Sequence, residues 1–355
     1  TPNTLRPVAV LARIARRPTN LRARHAGGGS IAGVLMNRFI GAALCGLLSV
    51  TAFEAFAAES FVPPEWAYPF SVPGQARGPD DGTLHSVEGS DLELTQTQIN
   101  NRFGPPDWYP NEHPPMPDVV AHGREPNPWA CALCHLPNGA GHPESANLSA
   151  LPENYIVQQM RDFANGNRIS APEGSPGIMV AIAKAATEEE VREAAEYFAS
   201  LEPANWNHIV EADMVPETFM GAGNMRHPVP GGGMEPIGMR IIELPTDSEG
   251  AELRDSHSPF MAYVPPGTLA KGEALASTGG GKTIQCAICH GEGLKGLGEV
   301  PSLAGRSPIY LARQMFDIKH GFRKGPSSAL MQSVVANLEE EDILNLSAYA
   351  ASLTP

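Results

Sequence analysis

Cys131, Cys134 and His135 return 155 residues later as Cys286, Cys289 and His290. The same offset carries Leu148 onto Leu303, Tyr155 onto Tyr310, Gln159-Met160 onto Gln314-Met315, Asp162 onto Asp317, Gly166 onto Gly321 and Arg168 onto Arg323. A fixed offset that preserves so many identities marks an internal repeat, which limits the chain to folds that can be built twice. After the Arg the offset falls to 152, pairing Met179 with Met331, Tyr197 with Tyr349 and Ser200-Leu201 with Ser352-Leu353. Two units of roughly 90 residues are therefore expected, a small size for a domain, at 115–204 and 266–355. The segment 205–265 joins them.

Both units are predicted to be helical. Ile156, Val157, Met160 and Phe163, like Leu311, Met315 and Ile318, stand at spacings that put apolar groups on one helix face. The last segment of each unit opens on acidic residues, Glu188-Glu189-Glu190 after Thr187 and Glu339-Glu340-Glu341-Asp342, which favour a helix N-terminus. The expected fold class is all-α, with a Pro-rich extension at 58–114 that packs onto the units and a long irregular inter-domain segment. Within that segment, Ile237 to Leu244 is expected as a short strand or hairpin.

Each repeated triplet matches C-x-x-C-H, in which two thiols form thioethers to haem vinyl groups and the adjacent imidazole ligates the iron. Two intervening residues set both sulfurs against one porphyrin edge, and the next residue turns its ring under the metal. Other readings of a C-x-x-C pair are a zinc site, a redox dithiol or a disulfide. A zinc ribbon brings its pairs about 15–20 residues apart, and a dithiol oxidoreductase has no need of His after both pairs. Two covalent haems c are expected, with His135 and His290 as metal ligands and Cys131, Cys134, Cys286 and Cys289 as attachment points.

A proximal imidazole leaves one axial position. Met179 and Met331 lie 44 and 41 residues after their histidines, just before the acidic start of the last helix, and are the candidate sixth ligands. A Met thioether raises the haem potential relative to a second His, which suits an electron carrier. Met160 and Met315 also recur, but their helical context marks them as core residues. Arg168 and Arg323 are candidates to pair with haem propionates through the guanidinium fork, against the alternative of a solvated surface Arg. Tyr155 and Tyr310 either hydrogen-bond the haem or pack. His113, His122, His142, His227, His257 and His320 lack a repeat counterpart and are expected on the surface.

The first 57 residues are expected to be removed. Asn37-Arg38 leads into the apolar run Phe39 to Phe53 and then Ala55-Phe56-Ala57, the layout of a secretory signal peptide cleaved after Ala57, with residues 1–35 read as upstream translation. The apolar run is shorter than the ~20 residues of a membrane-spanning helix, so no span is expected in the mature chain. Removing seven Arg from the 25 basic residues and one Glu from the 39 acidic ones leaves 18 against 38, a net charge near −20. Such a balance disfavours nucleic acid and anionic membrane as partners and favours a basic protein partner or plain solubility. Cys45 leaves with the signal peptide, so the four remaining cysteines are all committed to the two motifs.

With these residues in place, each unit resembles a class I cytochrome c, and the tandem pair resembles the dihaem cytochromes of the c-four type. The likeness rests on C-x-x-C-H, the Leu-Ala-Gly-Arg-Ser-Pro-Ile-Tyr run at 303–310, the Gln-Met and Gly-x-Arg stretches, the late Met and the closing Ala-Tyr-Ala-Ala-Ser-Leu. The resemblance implies a helical fold, one His/Met haem per domain, and periplasmic electron transfer between redox proteins. The donor would be a dehydrogenase or quinol-oxidising complex and the acceptor an oxidase or reductase. A dihaem peroxidase, with one open iron, is the alternative. The chain departs from the pattern in its long extension, its long inter-domain segment and Leu136 where the second unit has Gly291.

Overall fold

The repeat is visible in the order of helices. The computed structural model describes residues 61–68, 80–171, 177–221 and 224–355; the expected signal peptide at 1–57 lies outside them. Ahead of the first unit come β1 (Leu84–His85), β2 (Leu94–Thr95) and α1 (Gln96–Ile99). The first unit holds α2 (Asp118–Ala121), α3 (Ala132–His135), α4 (Glu153–Ala164), α5 (Gly177–Ala185) and α6 (Glu188–Ser200). Between the units run β3 (Asn207–Glu211), β4 (Met214–Pro216), β5 (Thr218–Met220), β6 (Arg226–Pro228), β7 (Met234–Pro236), β8 (Ile242–Pro245), α7 (Ser248–Glu252) and β9 (Phe260–Val264). The second unit holds α8 (Thr268–Thr278), α9 (Ala287–His290), α10 (Pro308–Lys319), α11 (Ala329–Val335) and α12 (Glu340–Ser352).

Local chemistry fixes the helix starts. Thr187 accepts from Glu190 N while Glu190 reaches back to Thr187 N at 2.7 Å, a complete capping box at α6. Glu339 and Asp342 form the same reciprocal pair at α12. Ser307 Oγ accepts from Tyr310 N at 3.1 Å and Pro308 occupies the first turn of α10. Burial of the apolar stripe then orients each helix: Ile156 of α4 joins Ala195, Phe198 and Leu201 in the first core, and Ile309, Ala312 and Phe316 of α10 join Ile343 and Leu344 in the second. At the α8–α12 crossing a side chain on Gly272 would run into the Asn345 carbonyl and lie 2.6 Å from Tyr349 Cβ, so only glycine permits the approach.

The chain is not all-α, and the inter-domain segment is the reason. β3 pairs in parallel with β9, and β9 pairs antiparallel with β8, giving a three-stranded sheet of order β3-β9-β8. Phe260, Ala262 and Val264 of β9 are buried while Met261 and Tyr263 are less so, the period-two pattern of a strand. Two further antiparallel pairs, β4 with β7 and β5 with β6, complete the segment. The strand anticipated at 237–244 starts five residues later and ends one residue later, as β8. Among the described residues, no helix is long and apolar enough to cross a membrane.

The extension packs on both units. Trp66 and Tyr68 are buried in the second unit's core, with Trp66 Nε1 donating to Glu340 at 2.9 Å and the Tyr68 hydroxyl to Asp317 at 2.8 Å. Further on, Trp108 and Tyr109 lock onto the inter-domain segment: Trp108 Nε1 donates to Leu253 O at 2.9 Å and the Tyr109 hydroxyl to Asp255 at 3.0 Å.

Candidate functional site

The two C-x-x-C-H triplets adopt one conformation. Cys131 has φ −63° and ψ −36°, Cys286 φ −64° and ψ −35°, and each starts a single helical turn, α3 or α9, that ends on its His. In both turns the His N–H bonds the first Cys carbonyl, at 3.0 Å in the first and 2.9 Å in the second. All four cysteines are unpaired thiols. Burial pushes the Cys131 thiol up to about 12, with Cys134 beside it adding to the rise, and burial also raises Cys134 and Cys286. A redox dithiol needs a depressed thiol pKa, and Cys131, Cys134 and Cys286 are shifted the other way.

The imidazoles are held identically. His135 Nδ1 bonds Ala146 O at 2.8 Å and His290 Nδ1 bonds Pro301 O at 2.8 Å, and the two acceptors are themselves at the 155-residue offset. Each carbonyl fixes Nδ1 as the protonated nitrogen and leaves Nε2 as the lone-pair donor, with no hydrogen bond among the described residues. Burial lowers the pKa of both rings, which keeps them neutral. Paired thiols, an oriented imidazole and a bare Nε2 fit a covalently attached haem. Among the described residues no three His, Cys, Asp or Glu side chains gather as a separate metal site.

Met179 lies on α5 and Met331 on α11, both half-buried. Met331 packs against the second core together with Cys286. Met315 joins the same cluster, whereas Met160 lines a cavity between α4, α5 and α6.

Arg168, Arg323, Tyr155 and Tyr310 converge at the junction of the units rather than staying in their own copies. Arg168 donates to Tyr310 at 2.9 Å and Gln314 at 3.0 Å, and Arg323 donates to Tyr155 at 2.8 Å and Gln159 at 2.9 Å. Both Arg are buried, at 8% and 7% exposure, which removes the solvated-surface reading. Backbone bonds reinforce the crossing: Ile169 N to Phe322 O and Lys324 N to Asn167 O, each 2.8 Å. Arg306 adds a third guanidinium, donating to Asn147 O at 2.6 Å and Ser149 O at 3.2 Å. Sequence comparison flagged Gln159 and Gln314 as a matched pair without giving them a role; Arg306 has no Arg counterpart and left no signal. The histidine expectation fails for His227, which is 3% exposed; His142 is half-buried, and burial pushes its pKa down to about 3.

Leu136 explains one departure from the repeat. Leu136 has φ 62° and ψ 158°, close to the φ 75° and ψ 174° of Gly291, a conformation that costs a non-glycine residue about 1–3 kcal/mol. Leu136 is 4% exposed and clusters with Trp206, Met225 and Phe260 of the inter-domain segment. Burying a leucine contributes about 1.5–3 kcal/mol, which offsets the strain and anchors the segment beside the first turn.

A family model described as Cytochrome c matches residues 269–354. The chain is 27% identical over 220 residues to the thiosulfate dehydrogenase electron acceptor of Thiomonas intermedia, covering 61% of this chain and 74% of that protein. It is 34% identical over 94 residues to cytochrome c4 of Azotobacter vinelandii, covering 24% of this chain and 45% of the relative, so less than half of that protein is spanned. It is 37% identical over 78 residues to cytochrome c-554(548) of Halomonas halodenitrificans, covering 22% of this chain and 94% of the relative. With that nearly full-length match, and with a Cytochrome c family model spanning the second C-x-x-C-H turn, the chain belongs to the cytochrome c family, electron-transfer proteins that hold haem c covalently.

Proposed function

We propose that this is a periplasmic two-haem electron carrier or electron-transfer subunit, in which 115–204 and 266–355 each hold one haem c. Cys131, Cys134 and His135 attach the first and Cys286, Cys289 and His290 the second, with Met179 and Met331 as sixth ligands. The observation that carries the reading is the duplicated proximal set, each Nδ1 tied to a backbone carbonyl at 2.8 Å and each Nε2 left bare. Held by these residues, a haem would supply one-electron redox chemistry, at a potential that a Met thioether would raise. The chain's own part is to orient the two rings, keep them neutral and surround them with apolar side chains. At the junction, Arg323 Nε and Gln159 Nε2 are buried donors without an acceptor among the described residues, which supports a propionate meeting this network. Tyr155 and Tyr310 orient the guanidiniums there. Similarity to the Thiomonas acceptor favours a dehydrogenase, thiosulfate dehydrogenase being the specific candidate, as electron donor, and an oxidase or reductase as acceptor. Export would follow cleavage after Ala57.

A pyridine haemochrome count on the purified protein should give two haems per chain. The far-red Met-to-iron band should fall in Met179→Ala and again in Met331→Ala, and the reduced protein should not bind carbon monoxide. A haem that takes carbon monoxide readily in the unaltered protein overturns the carrier reading in favour of a peroxidase-type enzyme.

A further inference from the structure

The two attachment turns share a conformation but not an environment. Leu133 and Ile288 occupy the same place between their cysteines, yet Leu133 is 5% exposed and Ile288 is 61% exposed. Ala132 is buried where Ala287 is exposed, and Cys134 is partly covered where Cys289 is open. The cover over the first turn comes from parts of the chain that the repeat does not contain. Arg254, in the inter-domain segment, donates to Leu133 O, to Ile99 O at 3.1 Å and to Asn100 Oδ1 at 3.1 Å, so one guanidinium clamps the extension onto the turn. Ala130 N donates to Arg102 O at 2.9 Å, and Arg102 lies over the Trp129 ring at 4.2 Å.

Around the second turn the corresponding surface is apolar and open. Ile284 is 47% and Leu297 60% exposed. Gly296 N donates to His290 O at 2.7 Å, which brings Leu297 back beside the turn. Thr283 Oγ1 donates to Val334 O at 2.7 Å and so sets α11, with Leu330 79% exposed, next to Ile284. The charges between 281 and 300 are Lys282, Glu292, Lys295 and Glu299, and Lys282 is already paired with Glu339 and Asp342. The exposed side chains at the turn itself, Ile284, Ile288 and Leu297, are apolar, which selects for apolar contact.

We infer that the second turn is the chain's port to its redox partner, and that the extension and the inter-domain segment close the equivalent face of the first. The occupant is an electron-transfer protein whose own cofactor edge is ringed by apolar, uncharged side chains. Electrons then reach or leave the first haem through the second, across the Arg168–Tyr310 and Arg323–Tyr155 junction. This inference rests on the two-haem reading above.

The test uses the two-haem protein and, as probe, a small blue-copper protein with an apolar ring at its metal edge, with electron exchange followed by stopped flow. Ile288→Glu and Leu297→Glu should each slow exchange by about tenfold or more, the effect of one lost interface anchor. Leu84→Glu, an equally exposed apolar position on the extension, should leave it unchanged. Exchange by the unaltered protein should vary less than about twofold between about 0.05 and 0.5 M salt, and all variants should react alike with a small uncharged quinone. Unchanged exchange in Ile288→Glu, equal slowing by Leu84→Glu, or a steep salt dependence overturns the port. So does a dimer of the unaltered protein that Ile288→Glu splits in sedimentation, because the face would then be a self-interface. A chain with fewer than two haems overturns the underlying reading instead, and the haem count separates the two failures.

Discussion

Arg168 of the first unit donates to the Tyr310 hydroxyl of the second at 2.9 Å, and Arg323 of the second returns the bond to Tyr155 of the first at 2.8 Å. Residues matched by the repeat are thus matched again by the fold, each copy completing the other. A tyrosine that loses its hydroxyl here leaves an N–H of a buried guanidinium without an acceptor, at about 1–3 kcal/mol. Tyr310→Phe and Tyr155→Phe should each lower the unfolding free energy of the haem-loaded protein by that amount. In urea titrations, Arg168→Ala should couple more strongly to Tyr310→Phe than to Tyr155→Phe, since Arg168 bonds only the former hydroxyl. Equal coupling would mean that the crossing carries no specific energy.

The α8–α12 crossing predicts a second outcome. Because a Cβ at Gly272 meets the Asn345 carbonyl and lies 2.6 Å from Tyr349 Cβ, Gly272→Ala must part the two helices or bend one. Overpacking of this kind costs about 1–3 kcal/mol, more where backbone rather than a flexible side chain must yield. The measurement is thermal unfolding of the haem-loaded protein, and an unchanged midpoint would contradict the close approach.

Leu136 and Gly291 should respond in opposite ways to an exchange of residue type. Leu136→Gly relieves about 1–3 kcal/mol of backbone strain but removes a packed side chain from the Trp206, Met225 and Phe260 cluster, a loss of about 2–5 kcal/mol. The net effect should be a modest loss of stability together with faster proteolysis within 205–265. At Gly291 a side chain would strike the Gly296 carbonyl, with nothing gained in exchange, so Gly291→Leu should fail to give a two-haem protein. Haem stoichiometry and limited proteolysis read both results.

Which parts of this architecture were legible in the sequence follows from how local their causes are. The attachment turns depend on five adjacent residues, and the helix starts on a cap and a residue three positions later, so both are visible in a short window. The 155-residue offset even matched the tyrosines, glutamines and arginines of the junction. Reciprocal bonding between copies left no trace, because each side chain is equally compatible with a partner in its own unit. The sheet escaped for a related reason: β3 and β9 are parallel neighbours brought together from more than 45 residues apart, and β4, β6, β7 and β8 each end on Pro, a weak strand signal. The cover over the first turn depends on Arg254 bridging Ile99 and Leu133, a relation among three distant segments.

Glu243 gives a pH-dependent prediction. It is 1% exposed on β8; one carboxyl oxygen accepts from the Ser307 hydroxyl at 2.8 Å and, more weakly, from Ile309 N at 3.4 Å, while the other has no partner among the described residues. Burial dominates and pushes its pKa up to about 7, against partial relief from these hydrogen bonds and from Arg313, with Glu144 adding to the rise. The folded value lies above the ordinary 4.5, so the protonated carboxyl's contribution is complete below that value and is lost as pH rises through about 7. At about 1.36 kcal/mol per pKa unit, the full loss is about 3 kcal/mol. Glu243→Gln keeps a neutral acceptor for Ser307 and cannot ionise. Relative to the unaltered protein, it should gain stability by roughly that amount between pH 5 and pH 8.5, whatever other groups titrate in both proteins. The check is the difference between their urea midpoints across this range: a gap that widens with pH assigns the proton to Glu243, and a constant gap removes it.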